Sequence, residues 1–156
     1  METKGMEEIY LKAANILNEM IPEPLKKIYL YAEVSEDSRQ VYYYYFPIEE
    51  DVPVYNLDIV KKFDVEEQKY EDLEDELYDC FTYLWEEFGE QNQEKWTNLT
   101  FKLEHTGEFD IDYNYDDLSE VDSYEQQIIW EYKNIGLITE GNRPKKIIDK
   151  YISENS

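Results

Sequence analysis

Residues 96–117 read WTNLTFKLEHTGEFDIDYNYDD and contain two runs in which apolar and polar side chains alternate. The alternation covers residues 99–103 in the first run and residues 109–115 in the second. A period of two is typical of a β-strand that buries one of its faces. Gly107 lies between the runs and favours a tight turn. The stretch therefore predicts an antiparallel hairpin.

The rest of the chain extends this hairpin into a larger pattern. Alternation over residues 28–34 and a tyrosine-rich run at 41–46 predict a second hairpin. Apolar residues repeating every three or four positions predict four helices, over residues 6–21, 64–89, 123–135 and 142–152. Residues 47–63 are predicted to be an irregular loop. The order α-β-β-α-β-β-α-α predicts an α+β domain with an antiparallel sheet of about four strands in two hairpins.

Short motifs mark the helix ends. Asp64 with Glu67, and Ser123 with Gln126, match the capping-box spacing that begins a helix. Gly136 is placed to end the third helix.

Length and composition indicate one cytoplasmic domain over residues 1–156. The chain has 156 residues, 16 tyrosines and one cysteine, so it can bury a core without a disulfide and fits a reducing compartment. Charges fill the first residues, where a signal peptide needs an apolar run. No segment approaches the roughly 18 apolar residues of a membrane span.

Acidic residues dominate the charge, with 38 Asp and Glu against 15 Lys and Arg and a net charge of −23. Residues 64–94 hold 13 carboxylates and one lysine, and residues 108–125 hold eight carboxylates and no base. A C-terminal stretch reverses the sign with four bases, Arg143, Lys145, Lys146 and Lys150. Such a protein repels nucleic acid and anionic membranes and attracts a basic partner.

The second predicted strand of the opening hairpin places its carboxylates on one side. Asp110, Asp112, Asn114 and Asp116 alternate with apolar residues, and carboxylates two positions apart on a strand lie roughly 6.6 Å apart. That row resembles the charge ladder of a nucleic-acid backbone, which the basic cleft of a nuclease binds. A solvated acidic edge is the alternative, and charge alone favours it.

The acids of the long predicted helix have the same two interpretations, a binding surface or a solvated face. Its outer face carries seven acids, mostly without a base three or four positions away to relieve repulsion. These acids are Glu66, Glu71, Asp72, Asp75, Glu76, Asp79 and Glu86. A cationic partner and a solvated face both remain open.

Motifs for catalysis or metal binding are incomplete. Asp110, Asp112 and Asn114 begin like a calcium loop, but Tyr115 and Val121 occupy the positions that need Gly and Glu. His105 is the only histidine and Cys80 the only cysteine, too few for a zinc set. We predict no enzyme activity, no cofactor and no metal, a structural His105 at a strand end, and a core position for Cys80.

Tyrosines also cluster on the first hairpin. Tyr29, Tyr31, Tyr42 and Tyr44 share one face. They are either interface residues, since tyrosine is common in interfaces, or a second core layer under a helix. The second interpretation is slightly favoured.

Two longer segments carry a family resemblance. Residues 96–117 and SYEQQIIWEYKNIG at 123–136, together with NEMIP at 18–22, resemble the YezG-type immunity proteins. The resemblance covers about residues 6–136 and leaves 137–156 as a C-terminal helical tail. It implies a bacterial antitoxin that neutralises a nuclease toxin exported by a type VII secretion system. Five motif positions serve either fold or interface: Trp96, Gly107, Tyr113, Tyr115 and Trp130.

The hypothesis is therefore an acidic immunity protein that occludes the nucleic-acid cleft of a basic nuclease toxin. The residues predicted to contact it are Asp110, Asp112, Asp116 and Asp117, with a second patch of Asp72, Asp75, Glu76 and Asp79. An adaptor or secretion chaperone for a basic client, and a hydrolase using paired carboxylates, are the alternatives. Direct nucleic-acid or membrane binding is not expected.

Overall fold

The computed structural model describes residues 3–155, which form five α-helices, one 3-10 turn and five β-strands. The elements are α1 (Lys4–Met20), β1 (Leu25–Val34), β2 (Arg39–Pro47), β3 (Val54–Tyr55), the 3-10 turn (Asn56–Asp58), α2 (Ile59–Phe63), α3 (Glu67–Glu90), β4 (Asn98–Glu104), β5 (Phe109–Asn114), α4 (Ser123–Ile135) and α5 (Asn142–Glu154). The strands make one antiparallel sheet in the order β3-β2-β1-β4-β5. The predicted α+β class is confirmed, with five strands where about four were expected. Within residues 3–155 no helix is long and apolar enough to cross a membrane.

Two compact units divide the chain, the first ending at Asp116 and the second beginning at Asp117. The first contains the whole sheet with α1, α2 and α3, and the second contains α4 and α5. The first unit holds 30 carboxylates against 10 bases, a balance of −20, and the second holds eight against five. Almost all of the net charge therefore belongs to the sheet-bearing unit. One immunity domain over the full chain stays a prediction.

The core of the first unit lies between one face of the sheet and the helices α1 and α3. Both helices bury the apolar stripes that predicted them. From the sheet, alternate residues of β1, β2 and β4 enter the same cluster, including Leu30, Tyr43 and Phe101. Burying one such side chain contributes about 1.5–3 kcal/mol, so this interface provides the main driving force for folding of the unit.

The other face of the sheet carries the tyrosines. In the β1–β2 register Tyr31 lies opposite Tyr42, and their rings stack at 4.9 Å between centroids. Tyr44 stacks on Tyr55 of β3, also at 4.9 Å. Tyr31, Tyr42 and Tyr44 are buried and Tyr29 is half-buried. Three of these four residues are therefore buried, whereas their coverage by a helix stays a prediction.

The predicted loop at 47–63 is wrong in part, because it contains β3, the 3-10 turn and α2. Asn56 holds this segment against the sheet. Its Oδ1 accepts a hydrogen bond from the Tyr43 N–H at 3.1 Å, and its backbone oxygen accepts one from the Tyr70 hydroxyl at 2.9 Å. A side-chain amide thus replaces a strand partner for β2. A two-residue strand is too short to show alternation, which explains why the sequence pattern missed it.

The start of α3 differs from the predicted capping box. Asp64 is the C-cap of α2, in the left-handed region at φ 52°. Helix α3 begins at Glu67, and its N-cap Glu66 makes no side-chain capping bond. Asp64 is suited to this C-cap position because Asp tolerates the left-handed conformation better than most residues do.

The N-cap of helix α4 lies one residue before the position that the predicted capping box gave it. The N-cap is Asp122, whose carboxylate accepts a hydrogen bond from the Tyr124 N–H at 3.1 Å. Ser123 is already helical, so the Ser123–Gln126 box is wrong. The predicted stop is confirmed, since Gly136 is the C-cap at φ 67°. In the second unit α4 and α5 pack through Ile128, Ile147 and Ile148.

Candidate protein-binding surface

The carboxylate row of β5 lies on an exposed surface of the first unit. Asp110 and Asp112 are exposed, and they lie opposite Lys102 and Thr100 of β4. The intervening residues Phe109, Ile111 and Tyr113 take the other face of the strand. The alternation predicted from sequence is therefore present, and it points the charges away from the face that α1 and α3 cover.

The row continues beyond the end of the strand. Asp116 is exposed, and its backbone N–H donates to Oδ1 of Asn114 at 2.9 Å. Asp117 begins the second unit, where its carboxylate accepts a hydrogen bond from the Ser119 N–H at 2.9 Å. That bond lowers the pKa of Asp117, because it stabilises the charged form. Asp110, Asp112 and Asp116 thus belong to one unit and Asp117 to the other.

The four acids predicted on the long helix have unequal surroundings. Asp75 and Glu76 are exposed on α3, and Asp72 is exposed and accepts a hydrogen bond from Gln68 at 2.9 Å. Asp79 is half-buried and forms an ion pair with Arg39 at 2.9 Å. Because Arg39 lies 40 residues earlier in the chain, a search for bases one helical turn away cannot find it. Asp79 therefore already has a cationic partner.

Glu74 is an acid of α3 that sequence reasoning did not single out. It is half-buried, and burial raises the pKa of its carboxyl, with further contributions from the charges of Asp75 and Glu71. This carboxylate is held in an unfavourable environment. No local pattern distinguishes it from its exposed neighbours, since its burial depends on packing.

The two predicted acidic patches do not form one surface. Helix α3 packs on the sheet face that includes Leu30 and Phe101. Asp110 and Asp112 point from the opposite face of the same sheet. A partner laid over the β5 row would have to wrap around the sheet to reach the acids of α3.

Two of the motif residues, Trp96 and Tyr113, contribute to packing: Trp96 lies in the core, and Tyr113 is half-buried against it. Trp96 is fully buried, with its ring centroid 6.1 Å from that of Tyr113. The Tyr113 ring lies 4.8 Å from Phe88, and its hydroxyl lies 2.5 Å from the Tyr10 hydroxyl. These contacts fix β5 against α1 and α3, so both aromatics position the strand that carries the carboxylate row.

The remaining motif positions differ in exposure. Gly107 has φ 94° in the turn between β4 and β5, a conformation that favours glycine. Trp130 is buried on α4, whereas Tyr115 is 46% exposed just beyond β5. Tyr115 is therefore the one of the five motif residues that combines a large ring with access to solvent beside the carboxylate row.

His105 and Cys80 lie outside the carboxylate row, and a structural role for His105 stays a prediction. His105 follows β4, exposed, and its backbone N–H donates to the Lys26 oxygen at 2.9 Å. Cys80 is buried in the core as predicted, and burial raises the pKa of its thiol to about 11. Among residues 3–155, no three His, Cys, Asp or Glu side chains are grouped to hold a metal ion.

Comparison with known proteins gives consistent matches over nearly the whole chain. A family model described as "Immunity protein YezG-like" matches residues 6–149. The match continues past residue 136, where the sequence analysis placed the end of the resemblance. Much of α5 therefore lies inside the family pattern.

Three curated relatives show similar coverage. The "Immunity protein YezG" of Bacillus spizizenii is 41% identical over 157 residues, covering 99% of this chain and 98% of the relative. The protein of the same name from Bacillus subtilis is 40% identical, covering 94% and 99%. The "Type VII secretion system protein EsaG" of Staphylococcus aureus is 30% identical, covering 96% and 94%.

Proposed function

The chain belongs to the YezG-like immunity protein family, and from this premise we propose that it neutralises a secreted nuclease toxin in the cytoplasm of the producing cell. Immunity proteins bind a cognate toxin and are inhibitors rather than enzymes. Family membership therefore confirms the prediction that the chain is not an enzyme. The nuclease activity of the partner, its basic surface and the place of action are parts of the proposal.

The charge of the first unit is the observation that carries the proposal. Its balance of −20 includes the exposed carboxylates Asp110, Asp112 and Asp116 along one strand and its extension. A nuclease needs a cationic cleft to hold the phosphate backbone. The exposed carboxylates of β5 and its extension complement such a cleft and compete with nucleic acid for it.

In the proposed mechanism, different residues determine the rate of association with the toxin and the rate of dissociation from it. Long-range charge complementarity accelerates the encounter and selects the partner, whereas buried aromatic and apolar contacts slow dissociation. Tyr115 lies next to the row with 46% of its surface exposed, so it is a candidate for such a contact. In the complex the first unit would occupy the cleft and deny it nucleic acid.

The alternative is an adaptor or secretion chaperone that binds the same basic client without inhibiting it. The staphylococcal relative is named a type VII secretion system protein, and this name is also compatible with the alternative. For this chain we propose that the toxin is a type VII substrate and that binding is inhibitory. The two functions differ in what happens to the client's activity in the complex.

The test is co-purification with a candidate secreted nuclease toxin from the same organism, followed by a nuclease assay of the complex. We expect a stable complex in which DNA degradation is lost at a stoichiometric amount of this protein. Full nuclease activity in a stoichiometric complex would support the adaptor instead. Absence of any complex would contradict both functions for that toxin.

A further inference from the structure

A groove of about 450 Å³ opens between α1 and the end of the β4–β5 hairpin, inside the first unit. Tyr10, Leu11 and Ala14 contribute its α1 wall, and Leu103 and Phe109 contribute the hairpin wall. Its volume is within the range of sites that hold a buried group of a partner or ligand. The carboxylate row described above does not include any of these residues.

Two large apolar side chains are exposed on facing walls of this groove. Leu11 is 65% exposed and Phe109 is 46% exposed. One exposed leucine is ordinary on a protein surface, whereas exposed apolar residues that converge on one concave surface are typical of interaction sites. The core stripe of α1 includes Tyr10 and Ala13, so Leu11 is turned away from it toward the groove.

The groove is held in shape by its surroundings. The ring of Phe109 lies 5.4 Å from that of Tyr10 and 5.7 Å from that of Phe101, both of which are buried. The wall formed by Phe109 is therefore fixed before a partner arrives. A preformed wall lowers the entropy lost on binding.

Charge indicates the chemistry of the occupant. The lining of the groove includes the carboxylates of Glu7 and Glu104 and contains no lysine or arginine among the described residues. We propose that the groove receives an apolar side chain of the toxin that is flanked by lysine or arginine. The proposal rests on the function proposed above and adds a second contact to it.

The strand β5 connects this groove with the carboxylate row. Phe109 lines the groove and Asp110, the next residue, begins the row on the opposite face of the strand. A partner that covers the β5 edge of the sheet would contact both. In that complex the carboxylates set the rate of association, and the groove sets the rate of dissociation.

The experiment compares the binding kinetics of Leu11→Gln and Leu57→Gln with the toxin that forms the complex in the test above. Leu57 is the matched control because it is 63% exposed, close to the 65% of Leu11, and does not line the groove. We expect Leu11→Gln to dissociate about tenfold faster, as is typical for loss of an apolar contact that becomes buried in an interface. Leu57→Gln should dissociate at the wild-type rate.

A second variant fills the groove. Asn15 is exposed on α1 and lines the groove, so Asn15→Trp should occupy the space and weaken the complex while thermal unfolding stays close to wild type. If both Leu11→Gln and Asn15→Trp bind the toxin like wild type, the groove does not contact the toxin and the inference is wrong. The same result would be obtained if the groove instead binds a small molecule. Failure of the wild-type protein to bind the toxin would instead overturn the proposed function together with this inference.

Discussion

Replacing Asp110 and Asp112 with Asn removes two negative charges from the exposed face of β5 without changing the size of either side chain. Both residues are exposed, so the dielectric constant of water is appropriate for their interaction with an approaching partner. At a separation of about 7 Å, each pair of unit charges contributes about 0.6 kcal/mol before screening. The Debye length is about 30 Å at 0.01 M salt, and there the loss of both charges should slow association about fivefold. At 0.1 M salt the Debye length is about 10 Å, and the slowing should be about threefold.

The assay is stopped-flow association with the toxin at these two salt concentrations. The matched control is Asp75→Asn with Glu76→Gln, which removes the same net charge from exposed positions on α3. At 0.1 M salt we expect the control to associate at nearly the wild-type rate, because a partner over β5 lies more than a Debye length from those acids. Equal slowing by both double variants would show that net charge, and not the β5 row, steers the encounter. No slowing by the β5 variant would show that the row is a solvated edge.

Other predictions concern the stability and reactivity of the first unit. Asn56→Ala should lower the free energy of unfolding in urea by about 1–3 kcal/mol, because the buried N–H of Tyr43 loses its acceptor; an unchanged midpoint would contradict this role. Burial raises the pKa of Glu74 above its usual 4.5, so the folded state binds its proton more tightly than the unfolded chain does, and the ionised group destabilises the fold at higher pH. Glu74→Gln should therefore raise the melting temperature at pH 7, compared with the exposed control Glu86→Gln. This gain in melting temperature should shrink toward pH 4.5, and a gain that is absent or independent of pH would refute the reasoning. Because the pKa of Cys80 is raised from 9.0 to about 11, its thiolate is about a hundredfold scarcer at pH 8, and Ellman's reagent should react slowly until urea unfolds the protein.

Local periodicity was sufficient for most of the elements in this protein. The alternating runs became β1, β2, β4 and β5, and the three- to four-residue repeats became α1, α3, α4 and α5. These patterns are reliable because the backbone geometry fixes the spacing of the buried side chains, at every second residue in a half-buried strand and at every third or fourth residue in an amphipathic helix. The segment at 47–63 lacks such a repeat, and its structure depends on hydrogen bonds that Asn56 accepts from Tyr43 and Tyr70, which lie 13 and 14 residues away in sequence.

The candidate surface was predicted less completely than the fold. The acids of β5 and α3 were identified from the sequence as two dense groups. Their separation onto different sides of the sheet, and the pairing of Asp79 with Arg39, follow from contacts between distant parts of the chain. The groove beside Leu11 was not predicted either, because its walls come from α1 and from the β4–β5 hairpin about 90 residues later in the chain.

The amino-acid sequence by itself determined the family, the acidic character and the alternation that places Asp110 and Asp112 on one face of a strand. These properties are local or additive, because they depend on residue identity and on the period of the backbone. Only the tertiary structure decided which carboxylates keep an exposed surface, which aromatics are buried, and that Leu11 and Phe109 line one groove. Those outcomes depend on how α1 and α3 pack on the sheet, and packing is set by contacts that no single segment contains.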